Sequence, residues 1–324
     1  MSLSVEGRAP SLAGANEWLN SPPLETSELR GRVLVVDFCT YTCINWIRTL
    51  SYVRAWEERY RDHGLVLIGV HTPEFSFEHD VDNIHSVLEA MRVGWPIAVD
   101  NDYAVWQAFA NHYWPALYFI DVEGRIRHHR FGEGDYERSE AVIRELLLEA
   151  GVQDLAAPVG EVEGEGPEVQ ADWDSLESTE TYLGYGQARS FASPGGISLD
   201  RRHRYDRPDR LEPAHWSLTG DWTIETERAV SNERNGRIEI AFHARDVHLV
   251  MGPAQPGASI PFRVSIDGEA PGGASGTDVD REGAGVLDRP RMYQLVRQPG
   301  EITDRVFGIE FLGEGAAGFA FTFG

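Results

Sequence analysis

Asp37-Phe38-Cys39-Thr40-Tyr41-Thr42-Cys43-Ile44-Asn45-Trp46 is the stretch whose reading decides the fold. Immediately before it, Val33-Leu34-Val35-Val36 is a continuous apolar run of the kind found in a strand buried on both faces. After it, Ile44, Ile47, Leu50, Tyr52, Val53 and Trp56 recur at roughly helical spacing. Arg48, Arg54, Glu57, Glu58 and Arg59 are left for a wet face, and Gly64 supplies a stop. The two cysteines therefore lie where a buried strand turns into a helix.

Working outward, strands are expected at 65–70, 97–99, 117–121 and 125–131, the last two joined by a Glu123-Gly124 turn. Helices are expected at 79–92, closed by Gly94, at 102–110, and at 135–149, followed by Gly151. The order β-α-β-α-β-α-β-β-α implies a mixed sheet with helices on both faces. Residues 153–175 read as an acidic linker, carrying Asp154, Glu161, Glu163, Glu165, Glu168 and Asp172 with no basic residue. From 176 to 324 the pattern is all-β. Short alternating runs at 214–218, 221–228, 237–242, 246–251, 261–266, 291–297, 305–312 and 317–323 predict a jelly-roll sandwich, with Asp267-Gly268 as one turn.

The net charge of −23 repels phosphate backbones and anionic membranes, which argues against a nucleic-acid partner. Every basic residue is arginine, so lysine-based Schiff-base or P-loop chemistry is excluded. No run approaches the ~20 apolar residues that span a bilayer. Residues 1–20 lack a charged-then-apolar leader pattern, which points to the cytoplasm. Cys39 and Cys43 are the only cysteines; a disulfide between them would close too small a loop to stabilise much, so chemistry is the better reason for the pair.

Cys43 falls in the first helical turn, where unpaired amides and the helix dipole favour a thiolate. Asp37, at the end of a buried strand, is a candidate proton handler. Trp114-Pro115 precedes a strand, and a cis peptide there would set a backbone edge beside the sulfur for an extended substrate.

These features resemble the active-site segment of thioredoxin-like proteins, and more closely the redoxin region at the C-terminus of DipZ-type, cytochrome-biogenesis-related proteins. Trp18 to Leu24, Arg48 to Val53, Gly69 to Phe75 and Asn111 to Phe119 carry the likeness in the first half. Tyr182 to Tyr185, Gly276 to Asp280 and Tyr293 to Arg297 carry it in the second. The resemblance implies a thioredoxin fold over 1–152, followed by a β-sandwich like that of carbohydrate-binding modules. It implies a thiol–disulfide oxidoreductase with no cofactor, exchanging with protein or small-molecule thiols and disulfides and drawing on an electron donor. It also implies a place outside the cytoplasm for the fused members. The family's second cysteine, three residues after the first, corresponds here to Trp46, and Cys39 stands where a tryptophan is usual.

Cys43 is thus the expected nucleophile and Cys39 its provisional partner thiol, unless an external thiol resolves Cys43. Pro115, Trp114 and Trp46 are expected to line the docking site, and His71 with Glu74 to form a proton relay. A thiol peroxidase is the first alternative, because Thr40 lies three residues before Cys43, although Val36 replaces the proline that opens such a loop. A non-catalytic scaffold bearing a carbohydrate- or protein-binding sandwich is the second. Trp216, Trp222, Tyr293 and Phe307 would be its sugar platforms if they were not core residues. Arg125, Arg127, His128, His129 and Arg130 read as a solvated edge, with no metal site, since adjacent strand residues point apart. Asp278 and Asp280 read as turn residues, too few to bind calcium.

Overall fold

The apolar run before the cysteines is the middle strand of a seven-stranded sheet. The computed structural model describes residues 3–324 and divides into two units, one ending at Val169 and the other beginning at Gln170. The first contains β1 (Gly7–Arg8), β2 (Glu17–Leu19), β3 (Val33–Cys39), α1 (Ile44–Tyr60), β4 (Leu65–His71), α2 (Val81–Ala90), β5 (Ile97–Val99), α3 (Ala104–Ala108), β6 (Ala116–Ile120), β7 (Arg125–Phe131) and α4 (Tyr136–Glu149). The sheet order is β1-β7-β6-β3-β4-β5-β2. β3, β4 and β5 run parallel, whereas β6 is antiparallel to β3 and forms the expected hairpin with β7.

Alternation along β3 divides its side chains between two faces. Leu34, Val36 and Phe38 enter a core with Val70, Val105, Phe109 and Tyr118. Asp37 and Cys39 share the opposite face, where the Trp46 indole of α1 reaches Asp37. The helix stops as expected: a short 3-10 turn leads to Gly64 at φ +96°. The second helix ends differently, because Arg92, rather than Gly94, takes the left-handed conformation after it.

Arg48 does not lie on a wet face. It is buried against Glu133 at 3.1 Å. The basic cluster on β7 is also only partly solvated. Arg127 is buried and pairs with Asp121 (3.1 Å) and Glu149 (2.7 Å), while β1 covers part of the strand. Much of the acidic segment lies on the first unit. Arg54 donates twice to Glu168 (3.2 and 2.9 Å), Arg59 to the Ala157 carbonyl (2.8 Å) and Arg144 to the Ala156 carbonyl (2.6 Å).

The second unit is a β-sandwich of β8 (Thr181–Tyr182), β9 (Arg202–Tyr205), β10 (Trp216–Ile224), β11 (Ala229–Ser231), β12 (Gly236–Phe242), β13 (Asp246–Pro253), β14 (Ile260–Ile266), β15 (Ala284–Leu287), β16 (Arg291–Arg297), β17 (Arg305–Phe311) and β18 (Ala316–Phe323). The runs expected separately at 214–218 and 221–228 contribute one strand, β10, which serves both sheets. Its first half pairs with β12 and its second with β9 and β11, the changeover falling at Gly220, φ +101°. One sheet runs β15-β14-β17-β12-β10 and the other β10-β11-β18-β13-β16. Trp216, Trp222, Tyr293 and Phe307 are all fully buried in the shared core, so none offers a face to a sugar. Asp278 is bound by Arg291 at 2.6 Å and by the Gln294 amide, and Asp280 accepts the Ala284 amide, as turn residues do.

Candidate active site

Cys43 is the N-cap of the 17-residue α1, in extended conformation (φ −72°, ψ 111°), and its carbonyl accepts the Ile47 amide at 3.0 Å. The first turn of α1 contains no acidic residue to offset the helix dipole. The sulfur is half-buried and lies 3.8 Å from the Trp114 carbonyl. It therefore combines partial access with a place at the positive end of a helix dipole.

The Trp114–Pro115 peptide is cis. Pro115 is buried and its carbonyl is already taken by the Gly132 amide at 2.9 Å, while Trp114 is half-buried. Backbone left beside the sulfur for a substrate is thus that of Trp114 rather than Pro115. Exposed Tyr113 lies against Phe131, ring centroids 4.9 Å apart and tilted by 33°, adding an apolar surface next to this segment that the sequence reading passed over.

Asp37 is completely buried. Its Oδ2 accepts the Trp46 indole N–H at 2.9 Å, and its Oδ1 has no hydrogen-bond partner. Burial pushes its carboxyl up to about 7, against the lowering effect of the indole. Such a group exchanges protons near neutrality, as a proton handler requires. Trp46, expected to help dock substrate, is fully buried and instead holds Asp37.

Cys39, last residue of β3, is also fully buried, and its thiol donates to the Val70 carbonyl at 3.5 Å. Burial raises this thiol well above its ordinary value, and the charges of Asp37, Cys43 and Glu78 raise it further. The two cysteines are not joined by a disulfide. Their sulfurs face opposite flanks of β3: that of Cys39 lies toward β4, and that of Cys43 toward the segment entering β6.

His71 pairs in register with Cys39 and stacks on Tyr41 at 5.4 Å, but it is sealed from solvent. Burial drives its imidazole down to about 3, so it stays uncharged near neutral pH. The Glu74 and Phe75 amides donate to Glu78 (2.6 and 2.9 Å), which also accepts the Thr42 hydroxyl at 2.6 Å. Glu78 is the carboxylate the sequence reading missed. It is buried, which raises its pKa despite these bonds, and it clamps the residue preceding Cys43 to the loop after β4. Thr40, the hydroxyl of the peroxidase alternative, is fully buried.

Among the described residues, no group of three or more His, Cys, Asp and Glu is placed to hold a metal ion, and no helix is long and apolar enough to cross a membrane. A cavity of about 700 Å³ beside Tyr52, Tyr136, Arg144 and Pro158 includes none of the cysteine-site residues.

A family model described as thioredoxin like C-terminal domain matches residues 178–324. Protein DipZ of Mycobacterium bovis and that of Mycobacterium tuberculosis are each 38% identical to the chain over 251 residues, covering 76% of it and 35% of DipZ. The chain thus spans about a third of the length of these relatives. Thiol-disulfide oxidoreductase YkuV of Bacillus subtilis is 27% identical over 140 residues, 43% of this chain and 94% of that protein. The solution structure of a thioredoxin-like protein in the oxidized form is 28% identical, with a TM-score of 0.41, covering 44% of this chain and 96% of the other. Strand order and relatives agree: the chain has a thioredoxin-like fold followed by a β-sandwich, and it is similar to DipZ over 76% of its own length.

Proposed function

We propose that the protein is a thiol–disulfide oxidoreductase whose attacking sulfur is Cys43. The observation that carries this reading is a cysteine, only partly buried, at the start of a long helix with no acidic residue in its first turn. Asp37 acts as proton handler, and the backbone of Trp114 borders the sulfur. YkuV, named for this activity, matches 43% of this chain along 94% of its own length, which supports the reading. Substrates are disulfides and thiols of proteins or small molecules, and the sandwich is a companion module. Reduction of insulin disulfides in the presence of excess dithiothreitol tests the proposal. Wild type should accelerate it, and Cys43→Ser should fall to the uncatalysed rate. Full activity in Cys43→Ser would overturn the assignment.

A further inference from the structure

Resting on that reading, we infer that Cys43 works as a single catalytic thiol, released from its mixed disulfide by a thiol from outside the chain. In the first turn of a helix, the position three residues after the N-cap lies on the same side as the cap, within disulfide reach. In α1 that position is Trp46, whose indole is buried on Asp37. The other candidate, Cys39, occupies the same face of β3 as Asp37, two residues along. Its sulfur is bound to the Val70 carbonyl on the β4 side, whereas the Cys43 sulfur faces the Trp114 carbonyl on the β6 side. A bond between them requires a fully buried thiol to leave its acceptor and turn across the strand.

The reaction balances without a second protein cysteine. The Cys43 thiolate attacks a disulfide R–S–S–R′; the Cys43–S–S–R bond forms as the substrate S–S bond breaks, and R′S⁻ departs and takes a proton. An external thiolate R″S⁻ then attacks the R sulfur, giving R–S–S–R″ and restoring the Cys43 thiolate. The enzyme gains and loses no electrons over the cycle. The co-substrate is a thiol in solution, either a small thiol or a protein cysteine.

Intact mass after incubation with oxidised glutathione separates the cases. Wild type is expected to carry one glutathione at Cys43; a product lighter by two hydrogens, carrying none, overturns the inference, because it is the Cys39–Cys43 disulfide. Turnover of a peptide disulfide is then measured with reduced glutathione and, separately, with a reduced cysteine peptide as resolving thiol. Cys39→Ala, folded by circular dichroism, should keep turnover within about twofold with whichever thiol supports wild type, whereas a loss of about tenfold or more restores the dithiol scheme. Trp46→Cys supplies an independent check: it should form an internal disulfide with Cys43 in place of the glutathione adduct, and retention of the adduct counts against the geometry. Unreactive Cys43 in wild type is a different failure, since it removes the proposed function itself.

Discussion

Asp37 is buried without an ionic partner, so replacing it by asparagine should change how stability depends on pH. Its carboxyl titrates at about 7 in the folded protein rather than 3.8. At about 1.4 kcal/mol per tenfold change in proton affinity, the charged form is disfavoured by burial to the extent of about 4 kcal/mol. Between these two values the folded chain holds a proton that the unfolded chain has released, so stability falls as pH rises through this window and levels off above about 7. An asparagine in its place would not titrate, and the amide oxygen would still accept the Trp46 indole N–H. The amide NH₂ would then stand where Oδ1 now lacks a partner, at a cost of about 1–3 kcal/mol. Asp37→Asn should therefore be less stable than wild type near pH 4 by about 1–3 kcal/mol, and more stable above pH 8 by about 1–3 kcal/mol. Urea denaturation of both proteins across this range, followed by the far-ultraviolet helix signal, measures the difference, because α1 to α4 all lie in the first unit. A wild-type-to-variant difference that stays flat with pH would refute the reasoning.

Three further outcomes follow from the same geometry. Arg48→Met should destabilise the first unit by about 3–5 kcal/mol, since it leaves Glu133 buried and unpaired, and adding Glu133→Leu should recover most of the loss in a double-mutant denaturation cycle. Glu78→Ala strands the Thr42 hydroxyl and two loop amides; it should cost about 3 kcal/mol in urea melts and slow alkylation-sensitive turnover at Cys43 by loosening the turn before it. Gly276→Ala places a Cβ 2.2 Å from the Gln294 carbonyl oxygen, so the sandwich should lose about 3 kcal/mol or more while the helix signal of the first unit melts as in wild type.

The strand-to-helix junction was legible because its signals are local: an unbroken apolar run, a helical stripe and a glycine stop. The edges were not. β1 and β2 have two and three residues, and nothing in Gly7-Arg8 or Glu17-Trp18-Leu19 distinguishes a strand from a loop until β7 and β5 pair with them. β10 was read as two runs because Gly220 looks like a turn, whereas it lets one strand pass from sheet to sheet. Around the sulfur, Asp37 and Cys43 could be placed from spacing, but burial sorted the rest. Trp46 and His71 are chemically suggestive residues that tertiary packing closes off from solvent. Glu78 gave no signal, since its partners are a hydroxyl and two amides brought together only by the fold. Arg48 misled for the same reason: its counter-charge lies 85 residues further along the chain.

The arginine-held acidic tail sets where the first unit can be severed. A fragment cut at Val152 would strip Arg54 of Glu168, and Arg59 and Arg144 of the Ala157 and Ala156 carbonyls. It would also deprive Glu140 of the Val159 amide. The fragment that keeps its own girdle runs on to Val169, and the irregular chain from 153 to that point is what an expression boundary should retain.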